Sequence, residues 1–200
     1  MADLSVTYMG MQLANPIIVS SSSLTNTVEK IKRCEDAGAG AVVLKSLFEE
    51  QIEAETEEIE DDAWPYPHPE AFDYVRQMGM RLGQDEYLKL IRAAKKAVKI
   101  PVIASLNCIT PKWWNSYAAE IAAAGADAIE LNIAILPTDP GHGAEEIEKT
   151  YVRIVEGIRR KVELPVAAKI GPDYNSIPQI TRNLRLAGAG SLVLFNRFYQ

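Results

Sequence analysis

Ala124-Gly125-Ala126-Asp127-Ala128-Ile129-Glu130-Leu131-Asn132 (AGADAIELN, residues 124–132) compresses the unit from which this chain is built. A helical pattern ends at Ala-Gly, a short apolar run follows at once, and the run closes on a polar amide. The same sequence of events recurs at residues 37–46 (AGAGAVVLKS) and 187–196 (AGAGSLVLFN). Glycine just past a helix serves as its C-cap and opens a short turn into the next strand. At the two remaining junctions, Lys99-Ile100-Pro101 and Glu163-Leu164-Pro165, proline stops the helix instead.

Working outward, apolar runs at 16–20 (PIIVS), 41–46 (AVVLKS), 101–107 (PVIASLN), 128–132 (AIELN), 165–170 (PVAAKI) and 191–196 (SLVLFN) have the length and branching of buried parallel strands. Helical patterns at 27–37, 85–98, 115–124, 145–162 and 176–187 lie between them. Strict alternation of this kind means an α/β fold with a parallel sheet and outer helices. The loop after the first run, Ser20-Ser21-Ser22-Ser23-Leu24-Thr25, lacks the glycine fingerprint of a dinucleotide fold. Lys45, Asn107, Asn132, Lys169 and Asn196 each close a different strand, and the serine run closes a sixth. Polar groups collected at strand C-terminal ends are the active face of a (β/α)8 TIM-type barrel. Only about six of the eight βα units of such a barrel are present, where ~250 residues are usual. The expectation is therefore one incomplete barrel domain over residues 1–200, lacking its last quarter.

The 200 residues carry a net charge of −6, which argues against nucleic acid as a partner. Residues 47–75 hold eleven acids and no lysine or arginine; the remainder has 16 acids against 21 bases. An acidic insert at about 47–83 thus interrupts a mildly basic body, and its 49–62 portion reads as a charged flap. No apolar run approaches ~20 residues, so no membrane helix is expected. The first ten residues lack the regions of a signal peptide. Cys34 and Cys108 form no zinc or redox spacing, making a reducing, cytoplasmic setting the default expectation.

No Ser-His-Asp or Cys-His-Asn order, no pair of strand-end carboxylates and no metal-ligand cluster is apparent. Of the two histidines, His68 lies in a proline-rich part of the insert and His142 in a glycine-rich loop. Cations and amides without an acid/base pair suit a planar, carbonyl-bearing cofactor. Asparagine reads imide edges, and a lysine beside a flavin's N1–C2=O edge stabilises the charge that grows on reduction. A strand-end lysine equally suits Schiff-base chemistry, and the residue types alone leave both open.

Taken in order, Asn15-Pro16-Ile17-Ile18-Val19-Ser20-Ser21-Ser22, Val43-Leu44-Lys45-Ser46, Glu130-Leu131-Asn132, Ala168-Lys169 and Leu194-Phe195-Asn196 resemble successive motifs of the dihydroorotate dehydrogenase family. That family consists of FMN-dependent (β/α)8 barrels, and the resemblance runs from about Leu13 to the C-terminus. It implies that Ser20, Ser21 and Ser22 pack on the flavin, that Lys45 and Ser46 meet flavin and substrate, and that Asn132 is shared between them. It also implies Lys169 at the pyrimidine edge of the ring, Asn107 as a further flavin contact and Asn196 on the substrate. The implied activity is hydride transfer between FMN and a small carbonyl-containing, pyrimidine-type substrate with a CH–CH donor.

Three departures accompany the resemblance. The family's Cys or Ser general base falls here at Ile135 or Leu136, so Cys108, Thr138 and His142 are the substitute candidates. The family's substrate loop corresponds to residues 76–82, where Met78-Gly79 is retained as a substrate contact and Arg76 replaces the leading asparagine. The loops that hold the FMN phosphate follow strands 7 and 8, which this chain lacks. Two rivals stand beside the flavin reading: a Schiff-base lyase or aldolase barrel using Lys169 or Lys45, and a non-catalytic flavin-binding relative. The expected partner is a small-molecule substrate, with homo-oligomer formation favoured by open sheet edges.

Overall fold

The computed structural model describes residues 2–48, 69–108, 111–135, 143–172 and 174–196; for 48, 69–82, 108 and 111–116 it describes the backbone alone. The chain opens with an antiparallel hairpin, β1 (Val6–Tyr8) and β2 (Met11–Leu13), pairing Val6 with Leu13 and Tyr8 with Met11. Its two-residue turn, Met9-Gly10, has φ of 50° and 80°, the left-handed pair that matches strand twist in a tight hairpin. Sequence reading did not anticipate this hairpin, because Met-Gly is a poor turn signal and the strands are short. Leu13 is buried against Ala41, Val43, Ile103 and Ala128, so the hairpin covers the inner face of the main sheet near its N-terminal end.

The main sheet comprises β3 (Ile18–Val19), β4 (Ala41–Val43), β5 (Leu47–Phe48), β6 (Val102–Cys108), β7 (Ala128–Ile133), β8 (Val166–Ile170) and β9 (Ser191–Leu194). Its order is β3-β4-β6-β7-β8-β9, all parallel, with β5 continuing beside β6 where β4 has stopped. Among the described residues, five α-helices stand between the strands: α1 (Val28–Asp36), α2 (Pro69–Ala97), α3 (Pro111–Ala124), α4 (Ala144–Arg159) and α5 (Ile177–Leu186). This is the expected α/β architecture, a curled parallel sheet consistent with part of a TIM barrel. All six strands read from the sequence are present.

Alternation along each strand divides the core in two. Val42, Leu44, Leu106, Leu131 and Ala168 face outward and pack with helix residues such as Ile31, Ile91, Ile121 and Ile158. Ala41, Val43, Ile103 and Ala128 face inward. The Ala-Gly junctions form helix caps as expected: Gly38 and Gly188 adopt φ of 90° and 105°, open only cheaply to glycine. Ala39 N donates to Cys34 O and Ala189 N to Leu184 O, closing the last turn of each helix. Asp127, one residue past such a junction, accepts from Val102 N at 2.7 Å and pairs with Lys95 Nζ at 2.6 Å, tying α2 and the start of β7 to β6.

Two expectations are corrected. The second helix begins at Pro69, not at 85, so residues 76–82 have helical rather than loop backbone. Proline is at home in a first turn, and residues 70–82 contain no further proline and many strong helix formers, which carry the helix past Gly79. Within the acidic insert, Leu47–Phe48 forms a strand. The flap at 49–62 and His68 lie outside the described residues.

Candidate functional site

The inward faces of β6, β7 and β8 change from apolar to polar as the strands run toward their C-terminal ends. Ile103 pairs with Ala128; one step on, Ser105 pairs with Glu130; one step further, Asn107 pairs with Asn132 and Asn132 with Lys169. All five polar side chains are buried. Burying amides and charges is costly unless they are partnered, so their concentration in one place is informative.

Glu130 is 4% exposed and Lys169 9%, with Lys169 Nζ 3.7 Å from Glu130 Oε1. Burial pushes the Glu130 carboxyl above its ordinary range, and the ammonium of Lys169 together with the Ser105 hydroxyl pulls it partly back. Asn107 Oδ1, Asn132 Oδ1 and Glu130 Oε1 have no hydrogen-bond partner among the described residues. Three buried acceptors beside a buried ammonium therefore define a row with unused capacity for N–H donors.

A belt of hydroxyls leads away from this row. Ser105 Oγ lies 2.8 Å from Ser46 Oγ, which lies 3.0 Å from Ser21 Oγ; Ser46 N also donates to Ser21 Oγ at 2.8 Å. The middle of β6, the β4–β5 connection and the loop after β3 are thus stitched together by serine. The stitch is held by Tyr87 of α2, whose hydroxyl accepts from Ser105 N at 2.8 Å and donates to Ser105 O at 3.1 Å. Burial raises the Tyr87 phenol well above its ordinary range, so it remains a donor.

The expected residues are distributed unevenly about this centre. Asn107, Asn132, Lys169, Ser21 and Ser46 belong to it. Ser22 instead caps the short 3-10 turn Ser23–Thr25, accepting from Leu24 N, and Ser20 is exposed. The sequence reads Lys45 as closing a strand, and this is corrected: Lys45 lies past the strand's end and is exposed. Strand β4 stops at Val43, and Lys45 sits in the connection to β5, its N–H reaching Thr25 O. Asn196 follows β9, half-buried, with its N–H on Ile170 O.

Cys108 ends β6 in register with Ile133; its side chain, like that of Met78, is outside the described set, and Gly79 is placed only as α2 backbone. Thr138 and His142 lie outside the described residues altogether. Ile135, one of the two residues read as the position of the family's base, is half-buried with its N–H on Tyr151 Oη, and Leu136 lies outside the described residues.

Sequence reading missed Ser105, Glu130 and Tyr87. The first two were recoverable, since each stands two residues before an asparagine already singled out and shares its face. Tyr87 left no local signal, because its role depends on a break between two short strands.

Comparison with known proteins places this arrangement. The model of the dihydroorotate dehydrogenase family matches residues 3–197. The catalytic subunit of dihydroorotate dehydrogenase B (NAD(+)) from Thermoplasma volcanium is 30% identical over 200 aligned residues, covering 96% of this chain and 62% of that protein. The NAD-dependent dihydropyrimidine dehydrogenase subunit PreA of Escherichia coli is 26% identical, over 97% of this chain and 48% of its own length. The chain thus spans at most about three fifths of these relatives. Among solved structures, phosphonopyruvate hydrolase in complex with oxalate and Mg++ superposes with a TM-score of 0.56 at 16% identity, covering 92% of this chain and 60% of the other. That likeness concerns the fold alone. With nearly its whole length matched, this chain belongs to the dihydroorotate dehydrogenase family.

Proposed function

We propose that residues 1–200 form part of one barrel domain of an FMN-dependent oxidoreductase acting on the CH–CH bond of a small, carbonyl-containing, pyrimidine-type substrate. The observation that carries this reading is the buried row Asn107–Asn132–Lys169, with two amide oxygens that no described donor satisfies. The donor set fits a flavin's pyrimidine edge: amide oxygens accept from a ring N–H, amide and ammonium hydrogens donate to ring carbonyls. Lys169 places positive charge where the ring gains electrons. When bound, FMN supplies a two-electron acceptor.

The remaining roles follow the family resemblance. Ser20, Ser21, Ser22 and Ser46 belong to loops that would border the ring and its ribityl chain. Lys45, exposed after β4, would be free to meet substrate as well as flavin, and Asn196, Asn132, Met78 and Gly79 are proposed as the further substrate contacts. The relatives' printed activities, on dihydroorotate and dihydropyrimidines, support a substrate of that class. Anaerobic mixing of the FMN-loaded, full-length protein with dihydroorotate and with dihydrouracil tests the reading. Bleaching of the flavin band by either substrate is expected. A loaded protein that neither substrate bleaches would contradict the assigned substrate class.

A further inference from the structure

Glu130 has no part in the contacts just described, yet it is the buried carboxylate of the inner face among the described residues. It also stands beside the inner end of a chain of hydrogen-bonded serine hydroxyls. Ser105 stands opposite it in register on the same inner face, Ser46 lies 2.8 Å from Ser105, and Ser21 lies 3.0 Å from Ser46. Ser21 is half-buried in the loop after β3, next to exposed Ser20, so the path runs from the interior to the mouth.

We infer that Glu130 is the proton store of this site, exchanging a proton with the bound substrate through the hydroxyls of Ser105, Ser46 and Ser21. This deepens the flavin reading and, for its catalytic part, rests on it.

A hydroxyl has one donor and two acceptor sites, so the three serines can point their protons either way along the path. With Glu130 ionised, Ser105 donates to the carboxylate, Ser46 to Ser105 and Ser21 to Ser46. Ser21 Oγ then accepts from Ser46 N–H and keeps one lone pair toward the mouth. A proton arriving there moves one Ser21 proton to Ser46, one from Ser46 to Ser105, and one from Ser105 to Glu130. The reaction balances: the CH–CH substrate loses one hydrogen with its electron pair to the flavin and one as a proton to the path. A C=C bond forms and two C–H bonds break; one O–H bond forms on Glu130, and FMN, when bound, would take the other hydrogen with its electron pair as its one new bond to hydrogen. Lys169 from β8 lies against Glu130, and the titratable groups that sense its charge are Tyr87 from α2 and Tyr8 from β1. Burial favours the neutral carboxyl, and the ammonium of Lys169 opposes it.

Infrared titration of the full-length protein without FMN, in wild type, E130Q and S46A, tests the store itself. A buried carboxyl band that titrates, vanishes in E130Q and shifts its titration in S46A is expected; no band removed by E130Q, or a band indifferent to S46A, overturns the inference. With FMN bound, E130Q is expected to slow dihydropyrimidine-driven flavin reduction by about 100-fold or more and to flatten its pH profile, as removal of a general acid/base does. Wild-type rates and pH profile in flavin-loaded E130Q would also overturn it. Wild-type protein that takes up no FMN contradicts the proposed function, and the infrared titration then decides the role of Glu130 alone.

Discussion

The Tyr87 hydroxyl lies 2.8 Å from Ser105 N and 3.1 Å from Ser105 O, occupying a place in the sheet that a strand would otherwise fill. Strand β4 pairs with β6 only as far as Val43–Ile103, and β5 resumes at Leu47–Leu106. Between them a helix side chain satisfies both backbone groups of Ser105. The break lets Ser46 turn its hydroxyl to Ser105 while Lys45 stays in solvent.

Replacing Tyr87 by Phe leaves the ring's packing and removes both bonds, leaving a buried N–H and C=O unpaired. Such a loss costs about 1–3 kcal/mol per unsatisfied group. A clear fall in the urea midpoint with unchanged slope is expected; a midpoint equal to wild type would show that the backbone finds other partners.

Gly40 is a packing requirement rather than a flexible link. Its N–H donates to Ile17 O, and a Cβ there would collide with the backbone oxygen of Asn15. Asn15 is itself fixed, accepting from Ile17 N and donating to Gly38 O. Gly40→Ala must push β3 away from the α1–β4 turn, and overpacking of this kind costs about 1–3 kcal/mol. Thermal melting checks it, and a melting temperature equal to or above that of wild type would contradict the close approach.

The Glu130 carboxyl binds its proton more tightly in the folded chain than its ordinary value of 4.5 allows, because burial disfavours the charge. Its contribution to stability is therefore complete below that value and is lost as pH rises through the folded one. Melting curves of wild type and Glu130→Gln measured from acid to neutral pH should diverge, with wild type losing ground to the variant as pH rises. Parallel curves, or wild type gaining, would place the carboxyl at or below its ordinary range.

Much of this molecule was legible in the sequence because its signals are local. Apolar runs, Ala-Gly caps and strand-end polar residues each need only a few neighbours to be read, and they gave the six strands, the barrel class and the row Asn107, Asn132, Lys169. What escaped depends on tertiary arrangement. The Met9-Gly10 hairpin owes its place to the sheet interior that Leu13 covers, and Tyr87 matters only because β4 ends early. Glu130 was hidden by its own strand, where a carboxylate among apolar residues reads as a motif letter until alternation sets it beside Lys169.

The central claim, that the row of amides and lysine receives a flavin, is tested most directly by titrating FMN into the full-length protein and its Lys169→Ala and Asn132→Ala variants. The account predicts a yellow complex with wild type that releases FMN on denaturation, and affinity about tenfold or more weaker in each variant, as loss of one good polar contact implies. A wild-type protein that stays colourless at saturating FMN, or variants that bind it as tightly as wild type, would contradict it.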